Sequence, residues 1–250
     1  MSLLRRVGAA ALAAGIGTFA IAQTPHAGAD PSAIRVQLSP ELETTLASQM
    51  VGRISALNGS LGASVAKGRV LVSFDCSEGD AKLQMAQAES AMAKETLETK
   101  QRLRKLEAAG DMEVSLAAAA ADRALAAIAV ARVQVAQCSV LAPFSGRIVK
   151  LHVKPFQGVT LGTPLIEMVS DGPLKLRLNV PSKLLRSLRV GTPFEVDIEE
   201  TAKTYLAKVT AINARVDAVA QTLELEARIE GRPGGLLAGM TGIARFKPAP

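Results

Sequence analysis

Two cysteines, two histidines and a few placed lysines are the side chains here with chemistry beyond packing to offer. Sixty-one residues lie between Cys76 and Cys138. No C-x-x-C joins them and no histidine stands near either, so thiol redox catalysis lacks both a resolving partner and a base. An even cysteine count suits one disulfide in an oxidising compartment; two buried thiols are the alternative. His26 and His152 are far apart, and neither sits in a metal-ligand spacing or beside a nucleophile. There is no phosphate-binding glycine loop. Met85 and Met92 stand one heptad apart, a spacing that reads as helix packing. The expectation is a protein that is not an enzyme, with no catalytic residue, no cofactor and no metal.

The elements that must position the cysteines are visible as a repeat. Gly52, Arg53, Ile54, Leu57, Val65, Gly68 and Leu71 recur as Gly146, Arg147, Ile148, Leu151, Val159, Gly162 and Leu165. All seven identities fall at one offset of 94 residues. A single register held over that span predicts an internal duplication. Each copy alternates apolar and other residues between glycines, the pattern of a small β unit.

Between the copies the chain is rich in Ala, Leu, Glu and Lys. Residues 81–108 and 112–137 contain neither Pro nor Gly. Leu83, Ala86, Ser90, Ala93 and Leu97 follow 3-4 spacing in the first run. Val114, Ala118, Ala121, Leu125, Ile128, Arg132 and Val135 form a heptad seam in the second. Ser77 and Asp111 are expected caps. Two helices joined at Gly110 must lie antiparallel, each arm roughly 40–45 Å long. The hairpin therefore brings Cys76 and Cys138 together at its base, and the expected disulfide would stabilise by roughly 4 kcal/mol on the chain-entropy model.

The pair of β halves, with Ala142-Pro143-Phe144-Ser145-Gly146-Arg147-Ile148 in the second, resembles the periplasmic adaptor (membrane fusion protein, HlyD/RND-type) family of efflux and secretion systems. The resemblance covers roughly residues 45–247. It implies an α+β fold class: an elongated modular chain whose α-helical hairpin is inserted in a split lipoyl/biotinyl-like β domain, followed by a small antiparallel β-barrel. The expected divisions are a signal peptide at 1–22, a lead-in and first barrel strand at 23–44, half-motifs at 45–76 and 138–170 around the hairpin at 77–137, and the barrel at 171–250. The implied function is a periplasmic adaptor between an inner-membrane transporter and an outer-membrane channel, assembled as a ring of several copies. Adaptors that dock on channels carry near the tip an Arg, a Leu four residues later and a Ser seven beyond. Arg102 and Leu106 match; Glu113 stands at the third place. A structural scaffold of the same fold is the alternative. A biotinyl or lipoyl carrier is a weaker one, because the hairpin occupies the place of the modified lysine and neither Lys67 nor Lys150 suits a swinging arm.

The last third reads as strands and turns. Residues 174–180 and 194–198 alternate, residues 181–188 form one short helical piece with Ser182 as cap, and strands are expected at 205–212, 222–229 and 243–246. Leu236-x-x-Gly239-Met240 also resembles the adaptors. At the other end, Arg5-Arg6, an apolar core from Val7 to Ala20 and Ala20-Ile21-Ala22 make a cleavable secretory signal, with Ala27-Gly28-Ala29 as a second cleavage site. No other stretch is expected to span a bilayer. The formal charge is +6, and no basic cluster interleaves with aromatics, so nucleic acid is not an expected partner. Aromatics are only 3%, which requires an aliphatic core.

Overall fold

A computed structural model describes residues 33–231 and 233–246. The expected signal peptide, both cleavage sites and His26 lie outside the described residues. In chain order the strands are β1 (Ile34–Ser39), β2 (Glu43–Ala47), β3 (Gly52–Leu57), β4 (Ser64–Val65) and β5 (Val70–Phe74). Helices α1 (Ser77–Lys105) and α2 (Asp111–Ala136) follow. Then come β6 (Ser139–Leu141), β7 (Gly146–Leu151), β8 (Gly158–Val159), β9 (Pro164–Ser170), β10 (Lys175–Pro181), a 3-10 helix (Ser182–Arg186), β11 (Pro193–Ile198), β12 (Lys203–Asp217), β13 (Thr222–Ile229) and β14 (Thr241–Arg245).

The repeat builds two four-stranded sheets, β2-β9-β7-β4 and β6-β5-β3-β8. They share one aliphatic core, in which the repeated residues are the centre. Ile54 and Ile148, Val65 and Val159, and Leu71 and Leu165 are all buried. The two halves exchange strands reciprocally. Gly52 of the first pairs with Val159 of the second, and Gly146 of the second pairs with Val65 of the first. Each half thus completes the sheet of the other.

The second β body is a closed antiparallel barrel, β1-β10-β13-β12-β11-β14. Alternation places Val36, Leu38, Leu176, Leu178, Val180, Val196, Ile198, Leu223 and Leu225 inside. Phe194 stacks on Phe246 with ring centroids 4.7 Å apart. The Gly239-Met240 turn ties back to β1: Gly239 N–H donates to the Leu38 carbonyl and Leu38 N–H to that of Met240, each at 2.8 Å.

Two expectations in this part are corrected. Strand β12 is longer than the alternation indicated, because register shifts between Val209 and Ala211 and between Ile212 and Val216 interrupt the period while the strand continues. Ser182 does not cap the 3-10 helix; Pro181 holds the cap position with no side-chain bond.

The glycines that open β3 and β7 differ in strictness. A Cβ on Gly146 would collide with the carbonyl of Val169, whereas one on Gly52 would meet the flexible end of Met50 at 3.2 Å. Gly146→Ala is expected to destabilise by about 1–3 kcal/mol and Gly52→Ala by clearly less. Urea midpoints of the two variants measure the difference; equal shifts would contradict it.

Candidate docking site on the helical hairpin

The hairpin is held at its base by a disulfide between Cys76 and Cys138, whose Cα atoms are 5.7 Å apart. Phe74 N–H donates to the Cys138 carbonyl at 2.8 Å, so the strands entering and leaving the hairpin are bonded beside the bridge. Gly79 lies in the first turn of α1 against it. A Cβ there would sit 3.1 Å from Cys76 Sγ and 3.8 Å from Cys138 Sγ. Glycine inside a helix costs about 1 kcal/mol relative to alanine, and here it gives the bridge its room.

Neither expected cap acts as one. Ser77 is the first helical residue, and its N–H donates to Asp75 Oδ1 at 3.2 Å. That backbone bond, with a second from the Ser77 side chain, holds the Asp75 carboxyl below its usual range. A carboxyl depressed in the folded state supports the helix start at neutral pH and loses that contribution as pH falls through the folded pKa. Glu78 is lowered likewise, by Lys82 at 2.6 Å. At α2 the cap position is Gly110, and Asp111 instead pairs across the turn with Arg104 Nε at 2.7 Å.

Along the arm α1 presents Leu83, Ala86, Ser90, Ala93 and Leu97 inward, as their spacing predicts. In α2 the expected seam is corrected at two members. Val114, Ala118, Ala121, Ile128 and Val135 are half-buried and inward, but Leu125 and Arg132 are exposed, and Ala117, Ala124 and Ala131 face inward beside the seam. Ala117 and Ala131 are buried, while Leu125 is 61% exposed. Small side chains at seven-residue spacing let the helices approach closely, which a Leu or Arg there would prevent. The same alanines make α2 long and apolar enough to cross a membrane by length and composition, contrary to expectation, although it is paired here with the charged α1.

At the tip α1 ends in a Schellman turn. Glu107 N–H donates to the Arg104 carbonyl and Ala108 N–H to that of Leu103, both at 2.9 Å. Glu107 takes φ +58 at the position that glycine usually fills. The three expected docking residues each have their own surroundings. Arg102 Nη2 donates to Glu95 Oε1 at 3.3 Å and Thr99 Oγ1 at 3.1 Å along its own helix. Glu113 accepts from Lys100 Nζ at 3.0 Å and so joins the two helices. Leu106 stands 75% exposed at the turn. Met112, at 77%, and Leu116, at 66%, add apolar surface to this end that motif reasoning missed. Their signal is only their helical position relative to the seam. Chemically the tip offers exposed apolar side chains and solvent-exposed ion pairs. Among the described residues no group of three His, Cys, Asp or Glu side chains could hold a metal ion.

Glu107→Gly is expected to stabilise the tip by about 0.5–1 kcal/mol, since glycine adopts the left-handed region freely. Amide hydrogen exchange of residues 103–108 reads this as slower opening; faster opening would contradict it.

No protein-family model matches the chain. An uncharacterized protein of Haemophilus influenzae is 27% identical over 244 residues, covering 91% of this chain and 63% of the relative. The chain thus spans less than two thirds of that relative's length. Among solved structures, the membrane fusion protein Spr0693 from Streptococcus pneumoniae R6 superimposes with a TM-score of 0.75 at 19% identity, covering 87% of this chain and 99% of that one. A MacA-MexA chimeric protein containing the Pseudomonas aeruginosa MexA α-hairpin domain gives 0.76 at 20% identity, covering 85% and 78%. With its barrel, its paired β halves and the hairpin between them, the chain has the fold of the membrane fusion proteins, the periplasmic adaptor architecture that its sequence resembles.

Proposed function

We propose that this protein is a non-enzymatic periplasmic adaptor that links an inner-membrane transporter to an outer-membrane channel in a tripartite efflux or secretion system. The observation that carries the reading is the hairpin. A roughly 40 Å arm is clamped at its base by Cys76–Cys138 and ends in exposed Leu106 and Met112. Such an arm has reach and a binding end but no reactive centre. The bridge stabilises it by about 4 kcal/mol on the chain-entropy model, which suits an oxidising compartment. Residues 1–22 act as a cleaved signal peptide in this reading. The two β halves are a lipoyl-like domain, and the helices pack as a short coiled coil. Copies assemble as a ring, with the barrel nearer the inner membrane and the hairpin tips toward the channel.

Arg102, Leu106 and Glu113 are assigned to the channel-docking end. Docking would draw on the Arg102–Glu95 and Lys100–Glu113 pairs, which are solvent-exposed and cost little to exchange. Arg102→Glu is expected to weaken channel binding about tenfold while leaving thermal stability unchanged, because the side chain contributes no buried contact. Unchanged binding would remove Arg102 from the site.

The whole reading is tested by purifying the tagged full-length protein from cross-linked envelopes and identifying partners by mass spectrometry. Recovery of both a transporter and a channel is the expected result. Recovery of neither, from cells where the protein is abundant, would favour a structural scaffold.

A further inference from the structure

The barrel has two rims. At one, β1 runs into β2 and β9 into β10, so that rim leads to the paired β halves. At the other, the antiparallel ladders bring the start of β1 beside the ends of β10 and β14. The chain thus enters at Ile34 and leaves at Phe246 on the rim away from the β halves. The same rim carries the 3-10 helix that follows β10 and the turn from β12 to β13. Ser182 N–H donates to the Gln221 carbonyl at 2.9 Å and joins the two.

Neither piece is built like an ordinary solvated loop. Turn positions favour Gly, Asn, Asp and Ser, yet Ala218, Val219 and Ala220 fill this tip. Asp217 Oδ1 accepts from the N–H groups of Val219 and Ala220, both at 2.9 Å, so the carboxylate of the turn is engaged by its own backbone. Val219 is 97% exposed, the most exposed large apolar side chain among the described residues. Beside it, residues 181–194 hold Lys183, Arg186 and Arg189 and no Asp or Glu. Leu184, Leu185 and Leu188 of this stretch pack on the barrel core, while the three cations are exposed. Arg189 Nη1 donates to the carbonyls of Leu185 and Leu188, at 3.0 and 2.7 Å, which fixes its guanidinium. Elsewhere on the barrel Lys175, Arg177, Lys208, Arg228 and Arg245 each reach a carboxylate. Among the described residues Lys183, Arg186, Arg189 and Arg215 make no ion pair. The next carboxylates, Glu195 and Glu224, are each the third residue of a strand.

An apolar tip beside unpaired cations complements a bilayer surface with anionic headgroups. The sequence that joins the barrel on this rim points the same way. Arg5 and Arg6 precede an uncharged apolar run from Val7 to Ala20, and only thirteen residues separate Ala20 from Ile34. Extended, they span at most about 45 Å. We propose that this rim rests on a membrane surface containing anionic lipid, with Val219 entering the headgroup layer and Lys183, Arg186, Arg189 and Arg215 pairing with lipid phosphates. This deepens the adaptor reading, on which it rests for the identity of the membrane. Each cation favours the bound state roughly fivefold, so the contact is reversible and weakened by salt.

The chain contains no tryptophan, so Val219→Trp places a single fluorescent reporter at the turn. The full-length variant is titrated with vesicles of phosphatidylethanolamine and phosphatidylglycerol, or of phosphatidylcholine alone. Its emission is expected to move to shorter wavelength on the anionic vesicles only, and high salt to reverse the shift. Leu61→Trp, on the β halves, is expected to stay unshifted. Adding Lys183→Glu/Arg186→Glu to Val219→Trp is expected to raise the lipid concentration at half-maximal shift by at least about tenfold with the melting temperature unchanged, since both side chains are exposed. No shift on anionic vesicles, an equal shift on neutral ones, an equal shift of Leu61→Trp, or a shift indifferent to charge reversal would each overturn the proposal. A shift that appears only with an added transporter would assign the rim to a protein partner and overturn it too. A protein that captures transporter and channel without binding vesicles would sink this inference alone. One that binds anionic vesicles yet captures neither partner would sink the adaptor reading and leave the lipid contact standing.

Discussion

Reciprocal strand exchange is the constraint on which the rest of the structure depends. Gly52 needs Val159, and Gly146 needs Val65. Neither half has a complete sheet or a closed core alone. The exchange also settles where the hairpin can be. It must leave after β5 and return into β6, two strands that are themselves hydrogen-bonded neighbours. That adjacency brings Cys76 and Cys138 within bonding reach, so the disulfide follows from the sheet rather than from the helices. Gly146 carries the tightest part of the arrangement, because its backbone lies where any side chain would strike Val169.

From this base the helices are organised by size rather than by hydrophobicity. Ala86, Ala117 and Ala131 are the buried residues of the pair. Two helices so joined bury little area, and by area alone their contact is weak. The arm is therefore supported from its ends: by the bridge and Gly79 below, and by the Schellman turn with the Arg104–Asp111 and Lys100–Glu113 pairs above. Such ion pairs hold geometry more than they stabilise, since each is open to solvent.

Much of this was legible. Most of the seven repeated residues are core positions or glycines, types that packing and backbone geometry restrict, so they kept one register; the exposed Arg53 and Arg147 are the exception. The inward stripe of α1 stood out because Leu83 and Leu97 sit among charges. The stripe of α2 was read one residue late at Leu125 and Arg132, because a helix with alanine on every face gives hydrophobicity nothing to discriminate. Caps failed where a better partner intervened: Asp75 for Ser77, and Arg104 for Asp111. The exposed ends of Leu106 and Met112 and the left-handed turns of Glu107 and Phe156 are properties of the folded backbone. Phe156 at the place of Gly62 in the repeat looks like a mere mismatch until both are seen to share one conformation, with φ +66 and φ +77.

The strand exchange has a kinetic consequence. Residue 52 must find residue 159, and residue 65 must find residue 146, across a chain that emerges from its amino end. Such separations make for slow folding, and until the second half arrives β3 and β4 expose unpaired edges. The helices fold locally and fast by comparison. Once they pair, the 61 residues between the cysteines no longer count as open loop, and the two β halves meet as near neighbours. The hairpin thereby serves as an internal template for assembly, and oxidation of the cysteines records that the two halves have met.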